Sequence, residues 1–174
     1  MNISHSVHGV FMSVFGTGTL MIGKSGIGKS DLALALLDRG HAFVADDMVE
    51  VSFSEGNLIG RSPKLLKNFL EIRSIGILNV AAHFSPQAVL KQKQLSLVIQ
   101  LEEPTAIPHA IHFTSDSWSF LGVSVPMFYL FLSQARPREV LLETLVRKYQ
   151  LMQKGYDTCS DFLENHSKEL SISA

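Results

Sequence analysis

The run Gly23-Lys24-Ser25-Gly26-Ile27-Gly28-Lys29-Ser30 has the residue types and the spacing of a phosphate cradle: a glycine, four residues, then Gly-Lys-Ser. Glycines let a backbone wrap closely round a phosphate chain with its N–H groups turned inward. Lys29 is then placed to reach the β- and γ-phosphates of ATP, and the Ser30 hydroxyl to hold Mg²⁺. Further along, Asp46 and Asp47 close a short apolar segment. Two adjacent carboxylates beside a phosphate loop can supply a magnesium contact and a general base for a hydroxyl nucleophile. Glu71 and Arg73 fall two apart in an extended stretch and so share a face. A carboxylate there either completes a magnesium shell or forms a surface ion pair. The chemistry these groups suit is phosphoryl transfer.

Elements must bring these groups together. Residues 19–22 are apolar and read as a strand running into Gly23, and residues 30–39 are rich in helix formers, with Gly40 as the stop. Strand, glycine-rich turn and helix is the context a phosphate loop requires. Residues 10–15 read as a strand, 16–18 as a turn, and 19–22 as the returning arm of a hairpin. With Phe15 opposite Thr19, paired positions sum to about 34. That register sets His8 level with Gly26, either beside the loop or as an ordinary turn histidine before Gly9. Residues 41–45 form a second short strand that delivers Asp46 and Asp47 to its end, where ligands bind in α/β sheets.

Elsewhere the pattern predicts a strand at 49–53, one or two helical turns at 64–69, a polar connection at 91–94 and a strand at 95–101. His109 and His112 read as loop histidines. An apolar run at 123–132 precedes a long helix at 137–154 with Leu141, Leu145, Tyr149 and Met152 along its apolar face, broadened by Leu142 and Val146. A last amphipathic helix is expected at 160–170.

The 174 residues suit a single α/β domain. A net charge of −1 offers no electrostatic case for nucleic acid or an anionic membrane as a main partner. One cysteine, Cys159, excludes an internal disulfide framework and a cysteine-rich metal site. No leader pattern and no membrane-length apolar stretch stand out, so a cytoplasmic location is expected.

On these residues the chain resembles the catalytic domain of HPr kinase/phosphorylase. The matching blocks are His8-Gly9-Val10, Gly23 to Ser30, Val44-Ala45-Asp46-Asp47, Leu58-Ile59-Gly60-Arg61-Ser62-Pro63, and Glu71-Ile72-Arg73 followed by Gly76-Ile77-Leu78-Asn79-Val80. The resemblance covers about residues 6–156. It implies a P-loop-containing α/β fold similar to phosphoenolpyruvate carboxykinase, assembled as a hexamer, in a short form without the family's frequent N-terminal domain. It implies ATP-dependent phosphorylation of a serine on the phosphocarrier protein HPr, and the reverse reaction. By position, His8 corresponds to the family's active-site histidine and Lys29 to its phosphate-loop lysine. Asp47 corresponds to the carboxylate that takes and returns the serine proton, with Asp46 orienting the site. Ser30 and Glu71 correspond to the magnesium ligands. Residues 70–79 correspond to a segment used in both directions.

Three departures stand out. Residues 108–111 carry no arginine where the family has one, Ser74 replaces a usual glycine, and residues 133–137 keep only Arg136 of the segment used for dephosphorylation. They leave open a kinase of the same fold with another protein or small hydroxyl acceptor, and a nucleotide-sensing module.

Overall fold

The computed structural model describes residues 4–103, 116–132 and 136–172, the last five by backbone only. His109, His112 and the arginine-free stretch 108–111 lie outside the described residues.

The centre is a six-stranded sheet in the order β11 (Asp116–Phe120), β12 (Val123–Phe131), β10 (Leu97–Glu102), β3 (Thr17–Ile22), β2 (Val10–Val14), β4 (Ala42–Ala45). Strands β12, β10 and β3 run parallel, and β4 joins their direction because both β3 and β4 lie antiparallel to β2. Four parallel strands therefore end on one edge of the sheet. One face packs on helices α1 (Lys29–Asp38) and α3 (Arg138–Gln153), through Val10, Met12, Leu32, Leu36, Ile99, Phe128, Leu142 and Val146. The other face packs on a four-stranded sheet of β1 (Ser4–His8), β5 (Met48–Ser54), β6 (Asn57–Arg61) and β9 (Gln92–Gln94), through Phe11, Leu20, Val44, Val51, Leu58 and Val98. Burial on both faces explains why β2 and the second half of β3, Leu20 to Ile22, are apolar at successive positions rather than alternating, apart from Ser13. A hairpin of β7 (Phe69–Ile72) and β8 (Gly76–Asn79), the short helix α2 (Val80–His83) and the C-terminal helix α4 (Thr158–Ile172) complete the order.

Several expectations are corrected. The first hairpin pairs Val10 with Met21 and Val14 with Thr17, a sum of 31 rather than 34. Its turn is Phe15-Gly16, both at positive φ (48° and 79°), as a two-residue hairpin turn demands. Gly18 is no turn glycine. It sits inside β3, where a β-carbon would fall 1.8 Å from the Gln94 carbonyl oxygen. The expected turn at 16–18 mistook a close approach for a bend. At 64–69 only Lys64–Leu66 forms a single 3-10 turn, and Phe69 already belongs to β7. The connection at 91–94 contains β9, an edge strand of polar residues whose pairing with β6 the composition hides. On α3, Leu142 and Val146 are buried and Leu141, Leu145 and Tyr149 pack against the same core as expected, while Met152 is exposed and Glu143 is buried among them.

Helix α1 ends as its sequence predicts. Gly40 takes φ 85°, its N–H bonds to the Leu37 carbonyl, and the His41 N–H reaches back to the Leu36 carbonyl. That closing pair satisfies two carbonyls at the helix end and turns the chain into β4.

Candidate functional site

Two crossovers between the sheets meet the phosphate loop. The chain leaves the four-stranded sheet after His8 and enters the central sheet at Val10; it returns between Ala45 and Met48. Gly9 makes the first crossing possible, because a β-carbon there would lie 2.6 Å from the Met21 carbonyl oxygen. The Gly9 N–H donates to the Asp47 carbonyl at 3.2 Å, which ties the crossings side by side. His8 and Met48 are cross-strand partners in the β1–β5 ladder. That ladder, not the β2–β3 hairpin, brings His8 to the site.

The Asp46 side chain is buried and accepts from Ser30 Oγ at 3.2 Å and from the Glu71 N–H at 3.0 Å. Burial pushes its carboxyl above the usual range, against the opposing pull of these hydrogen bonds. Asp47 is a different group. It sits at φ 62°, in a tight turn closed by the Met48 N–H to the Asp46 carbonyl at 2.7 Å. This turn swings its side chain outward, 72% exposed, with Oδ1 3.2 Å from His8 Nδ1. One of the two acids is therefore a strut and the other faces the cleft.

In the loop, Lys29 Nζ donates to the carbonyls of Gly23 (2.9 Å) and Lys24 (3.0 Å), arching the backbone between them. Burial holds the Lys29 ammonium below its ordinary pKa, and the charges of Asp46 and Asp47 act the other way. Gly26 and Gly28 take φ 80° and 100°, conformations that turn successive N–H groups to one side. Gly28 caps α1, so the open N–H groups of that helix start in the same cradle. His8, Ser25, Gly26, Gly28, Lys29, Ser30, Asp31, Asp46, Asp47, Glu71 and Arg73 line one cleft at the carboxyl ends of the parallel strands.

Residues 1–166 match the HPr Serine kinase C-terminal domain family. The chain belongs to that family. It is similar to HPr kinase/phosphorylase of Azoarcus sp. (41% identical over 169 residues, 95% of this chain and 54% of that protein) and of Chromobacterium violaceum (39% over 173 residues, 97% and 54%). The chain thus spans about half the length of the curated relatives it matches. Among solved structures it is similar to the Hpr(Ser) kinase/phosphatase from Coxiella burnetii, with a TM-score of 0.83 and 34% identity, covering 91% of this chain and 98% of that one.

Within this domain, the cleft collects all the candidate residues except Gly23, Lys24, Ile27 and Arg136. The first three are backbone members of the loop itself, and Arg136 stands exposed ahead of α3. Ser30 and Glu71 fit Mg²⁺. Both face the cleft, and Asp46 ties the hydroxyl of one to the backbone of the other. No cluster of three or more His, Cys, Asp or Glu closes on a point among the described residues. A few oxygen donors completed by substrate phosphates is the pattern Mg²⁺ favours over an all-protein cage.

Sequence reasoning passed over two arginines at the loop. The guanidinium nitrogens of Arg73 lie 3.3 Å from where a Gly26 β-carbon would stand, and Arg138 Nη1 lies 3.0 Å from the same point on Gly28. In the sequence Arg73 shares a strand face with Glu71 and belongs to the matching block Glu71-Ile72-Arg73, but nothing local signals its approach to Gly26. Nothing in the sequence signals Arg138, because its approach depends on how α3 docks.

Proposed function

We propose that this domain transfers the γ-phosphoryl group of ATP to a serine hydroxyl of the phosphocarrier protein HPr, and runs the reverse reaction at the same site. The acceptor comes from the names of the relatives, HPr kinase/phosphorylase. The chemistry rests on one observation above all: Asp47, exposed and paired to His8, shares a cleft with the phosphate loop while the buried Asp46 braces Ser30 and Glu71.

The loop N–H groups and Lys29 bind the triphosphate. Asp47 accepts the serine proton as the oxygen–phosphorus bond forms and the bond to the leaving ADP breaks, and it returns that proton in reverse. His8 Nδ1, at 3.2 Å, fixes the carboxylate that does this. Ser30 and Glu71 would hold Mg²⁺, which when bound would neutralise charge on the transferred group. Arg73, at Gly26, adds a second positive charge on the same side. Positioning and electrostatics supply most of the acceleration. A homo-oligomer, a hexamer by family resemblance, and a cytoplasmic setting belong to the same reading. The exposed Phe162 and Leu163 of α4 suit contact with another copy.

Mass spectrometry of HPr after incubation with the protein, ATP and Mg²⁺ tests this. One added phosphate on a serine is expected, and its removal on challenge with inorganic phosphate, with pyrophosphate as the product, shows that the site also takes the phosphoryl group off serine. Asp47→Asn should lower turnover by about 10²- to 10⁴-fold while ATP binding persists. Undiminished transfer by that variant removes Asp47 from the mechanism. Unlabelled HPr beside a labelled alternative hydroxyl acceptor replaces HPr in the reading, and ATP binding with no transfer to any acceptor makes the domain a sensor.

A further inference from the structure

We infer that Arg138 holds the phosphates that remain on the nucleotide after transfer, a positioning role that rests on the ATP reading above. Its guanidinium reaches the phosphate loop at Gly28, the residue that caps α1 with φ 100°, where a β-carbon would meet Nη1 at 3.0 Å. Any side chain at Gly28 would occupy the space the guanidinium uses. The next nearest atom to that point is Asp31 Oδ2 at 3.8 Å, yet Arg138 forms no ion pair and no side-chain hydrogen bond among the described residues. A half-buried cation that makes no ion-pair contact, with the Asp31 carboxylate as the acid beside it, thus stands at the positive end of a helix, next to Lys29. Lys29 and the helix start repel it, while Asp31 attracts it. An anion bound in the loop turns each of those repulsions into a shared attraction.

The arginine is held in that place. Arg138 opens α3, and five residues later Glu143 accepts from Arg39 Nε at 2.7 Å, from Arg39 Nη2 at 2.6 Å, and lies 2.8 Å from His41 Nε2. Arg39 and His41 flank the C-terminal end of α1. Both ends of α1 are therefore addressed by one stretch of α3, through Glu143 at its close and Arg138 at its start.

Which phosphates Arg138 meets follows from the division of the loop. Arg73 touches Gly26 and lines the cleft with His8 and Asp47, where the transferred group must lie. Arg138, which does not itself line the cleft, approaches Gly28, where the first N–H groups of α1 begin. It faces the part of the nucleotide common to ATP and ADP. Contacts of that kind strengthen ground state and transition state alike.

Calorimetry of ATP, ADP and adenosine binding, with Mg²⁺ present, tests the inference on the wild-type protein, Arg138→Gln and Arg138→Lys. Arg138→Gln should weaken ATP and ADP by the same factor, roughly tenfold, as loss of one charge-assisted contact implies. Adenosine should bind as before. Arg138→Lys should recover part of the loss. KM for ATP should rise with the dissociation constant while kcat stays unchanged. A structural role alone would move the unfolding midpoint without nucleotide and leave the affinities equal, and that result overturns the inference. A loss confined to ATP also overturns it, by placing Arg138 on the transferred group. Should Arg138→Gln fail to fold, the ratio of ATP to ADP losses in Arg138→Lys decides the same question. Failure of the wild-type protein to bind either nucleotide rejects the ATP reading itself.

Discussion

At the scale of single residues, the two neighbouring aspartates divide the work because a left-handed turn at Asp47 points them apart. Asp46 is buried and accepts from Ser30 Oγ and the Glu71 N–H, which hold its carboxylate as a brace. Asp46→Asn loses the charge-assisted acceptor and presents an N–H₂ to one of two donors. Mg²⁺-dependent ATP affinity should fall roughly tenfold, since Ser30 and Glu71 lose their common anchor. Isothermal titration at fixed Mg²⁺ reads this, and the loss should shrink without Mg²⁺. Asp47→Asn has the opposite signature, with binding kept and chemistry lost. That contrast separates a brace from a base, which the adjacency of two acids in the sequence cannot do.

At the scale of elements, the junction of α1 with α3 is set by a buried carboxylate. Glu143 is 5% exposed, and the Arg39 guanidinium, with His41 beside it, pulls its pKa down from 4.5 to about 2. A carboxyl whose folded pKa is depressed stabilises the fold above its unfolded pKa and loses that contribution as pH falls. The unfolding midpoint in urea should therefore drop between pH 4.5 and about 2. Glu143→Gln should cost about 3 kcal/mol at neutral pH and flatten that part of the profile. A variant with the wild-type acid profile would show that another group carries the transition. The crossover at Gly9 is the second element-level control. Gly9→Ala places a methyl 2.6 Å from the Met21 carbonyl oxygen, so β1 and β2 cannot both keep their pairings. Loss of about 2 kcal/mol should accompany a drop in turnover larger than the rise in KM, because His8 moves from Asp47. Unchanged turnover in a folded Gly9→Ala protein would detach His8 from the reaction.

At the scale of the whole molecule, the cleft sits where two sheets and the first helix meet, so a bound ligand adds contacts across layers already joined by their cores and crossovers. Nucleotide bound to the folded state alone adds stability by mass action, about 2.7 kcal/mol at one hundred times the dissociation constant. For a chain of this size that is a rise in Tm of roughly 5–10 °C. Differential scanning fluorimetry with ATP and Mg²⁺ should show it. Chelation of Mg²⁺ should remove most of the shift, and Arg138→Gln should reduce it at equal ligand concentration. No shift at saturating nucleotide would mean that the loop does not close on a ligand.

The sequence alone determined the phosphate loop, the helix after it, its glycine stop and the paired acids at a strand end. Each of these is local: spacing, propensity and capping act over a few residues, and short-range physics is written in short stretches. Family resemblance then assigned Glu71, which periodicity by itself left as one of two alternatives. Tertiary structure decided the rest. Gly18 looked like a turn residue until the Gln94 backbone came to lie against it. His8 was tied to the loop through the wrong pairing, because the strand that positions it, β5, lies forty residues away. Polar β9 gave no apolar signal, since an edge strand draws its order from ladder hydrogen bonds rather than burial. The approach of Arg138 to Gly28 depends on the angle at which α3 docks, and that angle is set by Glu143 meeting Arg39 and His41 across about one hundred residues of chain. Contacts of that reach have no local pattern to leave behind, because the folded sheet creates the distance over which they act.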